Sequence, residues 1–185
     1  MRYTITLIAA AGLMTAGAFA QSSEVGQRKE NQQDRIAQGV KSGELTAGET
    51  SNLERKESAI NQEVKVDRSL NGGKLTKQER QTVNGQQNQM SKQIYNDKHN
   101  TAAQHTGSSK VGQRAENQQD RIANGISSGK LNAAQTSRLE KGEGKINKET
   151  ATDRKANGGK LTAAEKKQIN RQQNNMSGRI SRAKH

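Results

Sequence analysis

Apolar residues recur along this chain in steps of seven and four. Leu53, Ile60 and Val64 form one series, and Val83, Met90 and Ile94 form a second one further on. Such steps keep side chains on one stripe of a helix. Each series follows the pattern Gly-x-Leu-Thr-x-x-Glu: Gly43, Leu45, Thr46 and Glu49, then Gly73, Leu75, Thr76 and Glu79. The pattern reads as a helix start. A threonine oxygen at the N-cap accepts from a free backbone N–H, and a glutamate three residues on reaches back to close a capping box. Leu45 sits at the staple position before the cap, and Gly43 ends the preceding turn. Thr162 with Glu165 repeats this chemistry, and Asn132 with Gln135 keeps it in different letters. Glycines at 39, 72, 73, 125, 158 and 159 punctuate the helices before the caps. The spacing predicts helices over 24–38, 47–69, 77–97, 110–124, 133–155 and 163–183, with no strand, and so an all-α fold.

The chain also repeats itself. Val25-Gly26-Gln27-Arg28 recurs as Val111-Gly112-Gln113-Arg114, and the register holds without a gap to His99 and His185, with more than half of the paired positions identical. Glu30 to Ala37 recurs intact as Glu116 to Ala123. This predicts a tandem duplication of a three-helix unit, with a first repeat over 21–99, a Thr, Ala, Ser and Gly-rich linker over 100–110, and a second repeat over 111–185. The linker has no apolar periodicity, so the repeats are expected to behave as separate units. Each carries a small core; in the second it is Val111, Ile122, Ile126, Leu131, Leu139, Ile146, Leu161, Ile169, Met176 and Ile180.

Residues 1–20 read as a secretory signal. Arg2 supplies the positive end, Leu7, Ile8, Leu13 and Met14 the apolar centre, and Ala18-Phe19-Ala20 the cleavage site. The expected mature protein starts at Gln21 and is periplasmic or secreted, with no transmembrane segment. The absence of cysteine excludes disulfides, a thiolate metal site, a thiol nucleophile and a lipoprotein anchor.

Composition narrows the chemistry further. Hydrophobic residues make up 28% of the chain and aromatics 2%, so a large core is excluded. Beyond the leader Tyr95 is the only aromatic, which removes base stacking and argues against nucleic-acid readout. No catalytic signature occurs: there is no G-x-S-x-G, no H-E-x-x-H and no P-loop. His99 and His185 follow Lys98 and Lys184 at helix ends, where a basic side chain complements the dipole. Paired acids such as Glu54 and Glu57 are expected on a solvated helix face, with nothing to raise their pKa. The expectation is a protein that is not an enzyme.

The net charge of +13 is distributed unevenly. Residues 25–99 hold 13 basic and 10 acidic side chains, a balance of +3, whereas residues 111–185 hold 16 and 7, a balance of +9. The last predicted helix carries Lys166, Lys167, Arg171, Arg179, Arg182 and Lys184. A face of that kind attracts polyanions by counterion release. Anionic surface polymers and lipids are the partners it suits.

The Gly-x-Leu-Thr-x-x-Glu turns resemble the second half of an EF-hand loop, in which a glycine, an aliphatic and a glutamate recur at fixed places. The resemblance implies paired helix-loop-helix units and a Ca²⁺ site. In direct register the early ligand positions would be Gln38, Val40 and Ser42, or Arg68, Leu70 and Gly72, which offer none of the carboxylates calcium mostly uses. With one residue inserted, Asp67, Ser69 and Asn71 precede Glu79, and Asp153, Lys155 and Asn157 precede Glu165. The resemblance therefore marks Asp67, Ser69, Asn71, Glu79, Asp153, Asn157 and Glu165 as candidate metal residues. The whole repeat also resembles a group of short secreted bacterial helical-repeat proteins of uncharacterised function, through the Gln-Gln-x-Arg-Ile start, the glycine turns and the close Ile94-Tyr95-Asn96-Asp97-Lys98-His99. That resemblance implies a secreted helical module and brings no activity. Two readings follow: a noncatalytic interaction or structural module, or a ligand-binding protein taking Ca²⁺ through its loops or a polyanion through repeat 2.

Overall fold

A computed structural model describes the backbone of residues 16–104 and 106–185, and the side chains from Glu24 onward except that of residue 105. Most of the predicted leader, residues 1–15, lies outside the described residues. Six helices follow one another: α1 (Ala16–Ser42), α2 (Ala47–Leu70), α3 (Lys77–Lys98), α4 (Lys110–Ser127), α5 (Ala133–Ala156) and α6 (Ala163–Lys184). The fold is all-α, and no strand occurs among the described residues.

Local chemistry sets the helix starts. At Thr46, Thr76, Asn132 and Thr162 the cap side chain accepts from the backbone N–H three residues on, and the glutamate or glutamine there accepts from the cap's own N–H. Helix α4 starts on Ser109, whose side chain accepts from the Gly112 N–H.

Two helix ends depart from the sequence pattern. Gly39 and Gly125, expected to terminate α1 and α4, lie inside those helices, which run on to Ser42 and Ser127. The chain reverses instead at Gly43 and Gly129, with φ of 74° and 67°. Gly39 and Gly125 serve close packing. A Cβ on Gly125 would stand 2.5 Å from Leu131 Cδ1 and 2.6 Å from its Cγ, and one on Gly39 would stand 2.7 Å from Leu45. Both leucines are buried. Their N–H groups donate back to the glycine carbonyls, at 3.0 Å for Leu45 and 2.9 Å for Leu131. Gly125→Ala is therefore expected to destabilise the protein by about 1–3 kcal/mol through overpacking, although alanine is the better helix former. Urea unfolding checks this, and an unchanged or raised midpoint would show that Leu131 yields at no cost.

Helix α2 lies along α5, and α1 along α4; these are the two broadest helix contacts. Helix α3 packs on α1 and α2, and α6 on α4 and α5. One continuous core runs through both halves, from Ile36, Leu53 and Ile94 to Ile122, Leu139 and Ile180. A smaller cluster of Val25, Ile60, Leu75 and Val83 lies wholly in the first half. The expectation of separate units is thereby overturned. Small side chains allow the close approach: a Cβ on Gly144 of α5 would stand 3.8 Å from the Ala47 Cβ of α2. At the crossing, Ser51 Oγ donates to the Ser137 carbonyl at 3.0 Å, and Ser137 Oγ donates to the Ser51 carbonyl at 2.9 Å.

The connection between α3 and α4 is tied down as well. The Gln104 N–H donates to the Gly43 carbonyl at 2.9 Å. Gln104 Oε1 accepts from the Ala47 N–H at 2.8 Å and so satisfies an open donor at the start of α2. Asn100 donates to Glu49 at 2.6 Å. Gly112 sits where a Cβ would meet the Thr106 carbonyl oxygen at 2.0 Å, so residues 106 and 107 press directly on α4.

Candidate functional site

The turns before Thr76 and Thr162 are closed by their own hydrogen bonds. Asn71 Nδ2 donates to both carboxylate oxygens of Glu79, at 2.9 and 3.0 Å, and to the Asp67 carbonyl at 2.9 Å. Asn157 does the same to Glu165, at 2.9 and 3.1 Å, and to the Asp153 carbonyl at 2.8 Å. Ser69 Oγ donates to the Val66 carbonyl. The Thr76 and Thr162 N–H groups also donate to these glutamates and hold their carboxyls below the usual range. Asp67 and Asp153 are raised instead, by desolvation and then by Glu79 and Glu165 respectively. Each turn thus gathers its candidate aspartate, asparagine and glutamate, but the asparagine presents an NH₂ donor to the carboxylate. Among the described residues no group of three or more His, Cys, Asp or Glu is placed to hold a metal ion.

The basic side chains of α6 are mostly at the surface. Lys166, Lys167, Arg171, Arg179 and Arg182 are exposed, and Glu165 is the only acid in the helix. Arg179 also leans inward toward Glu143, whose carboxyl it favours in the charged form. Lys184 is half-buried and donates to the Arg121 carbonyl at 3.2 Å. His99 stacks on Tyr95, with ring centroids 4.1 Å apart, and bonds the Tyr95 carbonyl.

The acid pairs correct the sequence reading. Glu54, Glu57, Glu140 and Glu143 are not on a solvated face; all four are 0% exposed. Burial pushes the Glu54 and Glu140 carboxyls up to about 8, that of Glu143 up to about 7, and raises that of Glu57. Glu54 adds to the cost of ionising Glu140 across the α2–α5 contact. Gln33 donates to Glu54 at 3.2 Å, and Gln119 to Glu140 at 3.1 Å. One oxygen of each of Glu54, Glu57 and Glu140, and both of Glu143, have no hydrogen-bond partner within the protein.

The chain matches no family model, no curated protein and no solved structure.

The Gln-Gln-x-Arg-Ile run shared by both halves is thus explained by packing. Gln32 donates to the Gln87 carbonyl at 2.7 Å, and Gln87 donates to the Val25 carbonyl at 3.0 Å, so buried amides brace α1 against α3. Gln118 and Gln173 repeat the brace between α4 and α6, at 2.8 and 2.9 Å. Arg35 and Arg121 donate to the Ser91 and Ser177 carbonyls. One sequence signal for the buried glutamates was present: Glu57 and Glu143 lie four residues after Leu53 and Leu139, on the apolar stripe itself. Among the described residues no helix is long and apolar enough to cross a membrane.

Proposed function

We propose that this chain is an exported, noncatalytic helical module, a tandem duplication of an EF-hand-like three-helix unit closed on itself, that attaches to anionic surface polymers or lipids through α6. One observation carries the attachment: five exposed basic side chains on a helix with a single acid. Its counterpart α3, in the first half, carries four basic and two acidic residues, so α6 holds three of the six charges by which the second half exceeds the first. The capped turns and buried amides act in this reading as scaffold. The export follows from the leader over 1–20.

Because both halves share one core, the test uses the whole chain. It should bind vesicles containing phosphatidylglycerol at low salt and release them as salt rises past about 0.1 M, where exposed charges are screened within about 10 Å. Lys166→Glu with Lys167→Glu should weaken binding roughly thirtyfold or more, since each basic residue near an anionic surface is worth about 1 kcal/mol. Neither side chain is buried, so helicity should be unchanged. Cosedimentation measures both. Binding that survives high salt, or that ignores the reversal, would sink the attachment reading.

A further inference from the structure

A cleft of about 850 Å³ opens between α2, α5 and the strap that precedes α4. Its walls carry Arg55, Arg138, Lys141, Lys145, Lys148 and Arg154. Among the described residues Glu140 is the only carboxyl that reaches it; it is fully buried and has an unpartnered oxygen. Four of the cations form one line on α5. Positions 138, 141, 145 and 148 are separated by three, four and three residues, which places them on one face at intervals of about 4.5–6 Å along the axis. Arg154 is held in place, donating to Ser109 of the strap at 2.7 Å. The floor is narrow and small: Ala47 and Gly48 of α2 face Gly144 of α5.

The molecule supplies its own comparison. A second cleft, of about 670 Å³, is built from matching positions on the other flank, where Asn132, Ala133 and Ala134 stand for Thr46, Ala47 and Gly48. Its charged residues are Lys29 and Lys65 against Glu30 and Asp34, a balance of zero. The residues that correspond to Arg138, Lys145 and Lys148 are Asn52, Ala59 and Gln62. The second copy thus carries three cations in this cleft, at 138, 145 and 148, where the first copy has uncharged side chains.

We propose that the cleft between α2, α5 and the strap is a binding site for a short linear oligoanion, a chain bearing phosphate or sulfate groups whose charges can meet cations spaced about 4.5–6 Å apart. The line of cations on α5 matches such spacing, the small floor lets the chain lie against the backbone, and the volume is that of a ligand pocket. This site is distinct from the α6 face and binds a ligand in solution rather than a surface.

Glu140 adds a signature. Around it stand Gln119 from α4, Glu143 on its own helix and Glu54 from α2; Lys29 and Gln33 of α1 face Glu54, and Arg179 of α6 faces Glu143. No basic group of these is directed at Glu140 itself, so burial keeps it neutral at pH 7. Its ionisation at higher pH would place a negative charge under the ligand.

The test titrates the full chain with inorganic tripolyphosphate and, separately, with a heparin-derived tetrasaccharide, by calorimetry. Arg138→Glu with Lys145→Glu should weaken binding about tenfold or more. Lys77→Glu with Lys92→Glu, an equal charge change on exposed positions of α3, should change it by less than about twofold. Lys148→Glu alone should follow the first pair. For the tetrasaccharide, whose sulfates stay ionised throughout, raising pH from about 7 to about 9 should weaken binding while lysines and arginines stay charged, and Glu140→Gln should remove most of that loss. Tripolyphosphate alone binding identifies a phosphate chain, and the tetrasaccharide alone a sulfated one. Equal losses from both reversal pairs, or no binding of either probe, would overturn the site. A pH dependence unchanged in Glu140→Gln would remove Glu140 from it.

Discussion

Residues 21–99, expressed without the rest of the chain, should form a dimer rather than a folded monomer. In the whole protein the face of α2 is covered by α5, and the residues that meet there are equivalents: Ser51 exchanges hydrogen bonds with Ser137, and Glu54 lies against Glu140. A second copy of 21–99 offers the same groups in the same register, and a face that fits its own equivalent is self-complementary. Without a partner, the core that runs from Ile36 and Leu53 into Ile122 and Leu139 would be cut open. Thermal unfolding of the fragment should accordingly depend on concentration. Ser51→Leu, which overfills the crossing, should cost the full chain about 1–3 kcal/mol and return the fragment to a poorly folded monomer. Sedimentation equilibrium decides the matter; a stable monomeric fragment with sharp unfolding would defeat the prediction.

The intact protein should lose stability continuously as pH rises from about 5 to about 8. The sign follows from the buried glutamates. Glu54 and Glu140 have an ordinary value of 4.5 and stand at about 8 in the folded chain. Below 4.5 both states hold the proton. Between the two values the unfolded chain has released it and the folded chain has not, so each pH step favours unfolding. The loss is complete once pH passes the folded value, and for each of the two it is on the order of 4 kcal/mol. Glu143, raised to about 7, adds to it. At the acid end the capping glutamates Glu79 and Glu165 act in the opposite sense. Their carboxyls are held low in the folded chain, and their bonds are lost as pH falls, so the maximum should lie near pH 5. Glu54→Gln with Glu140→Gln keeps shape and the amide partners while removing the ionisation. At pH 8 it should raise the melting temperature by more than about 10 °C, since 1 kcal/mol is worth roughly 2–4 °C in a chain of this size. A flat wild-type profile across that range would show that water or rearrangement solvates these carboxylates.

Much of the helical fold was legible because its boundaries are local. Thr46, Thr76, Asn132 and Thr162 each act within four residues of chain, so their effect can be read from letters alone. What α2 and α5 do to each other was not legible. Ser51 and Gly144 look like weak helix formers on a polar face, and Ala47 like an ordinary helix residue, until the facing helix is brought opposite them, and nothing local reports that meeting. The same blindness hid the buried glutamates: Glu54 and Glu57 read as surface charge because charge normally stays in water, and only the packing of a second half removes the water. Gly39 and Gly125 were misplaced for a related reason. A glycine that admits a distant leucine has the same letter as one that ends a helix. The basic line on α5 was visible in the sequence at helical spacing, but the total charge drew attention to α6, and only the cleft distinguishes the two.

The exchange between Ser51 and Ser137 has a consequence for how this molecule can vary. Two identical chains meeting along such a line receive every substitution on both flanks at once. Lysines at the positions of Ala59 and Gln62 would then have accompanied those at 145 and 148, and the second flank would have been as cationic as the first. With both copies in one polypeptide, each flank changes alone. Residues 138–148 could become cationic while residues 52–62 stayed nearly neutral, so the molecule has a front and a back.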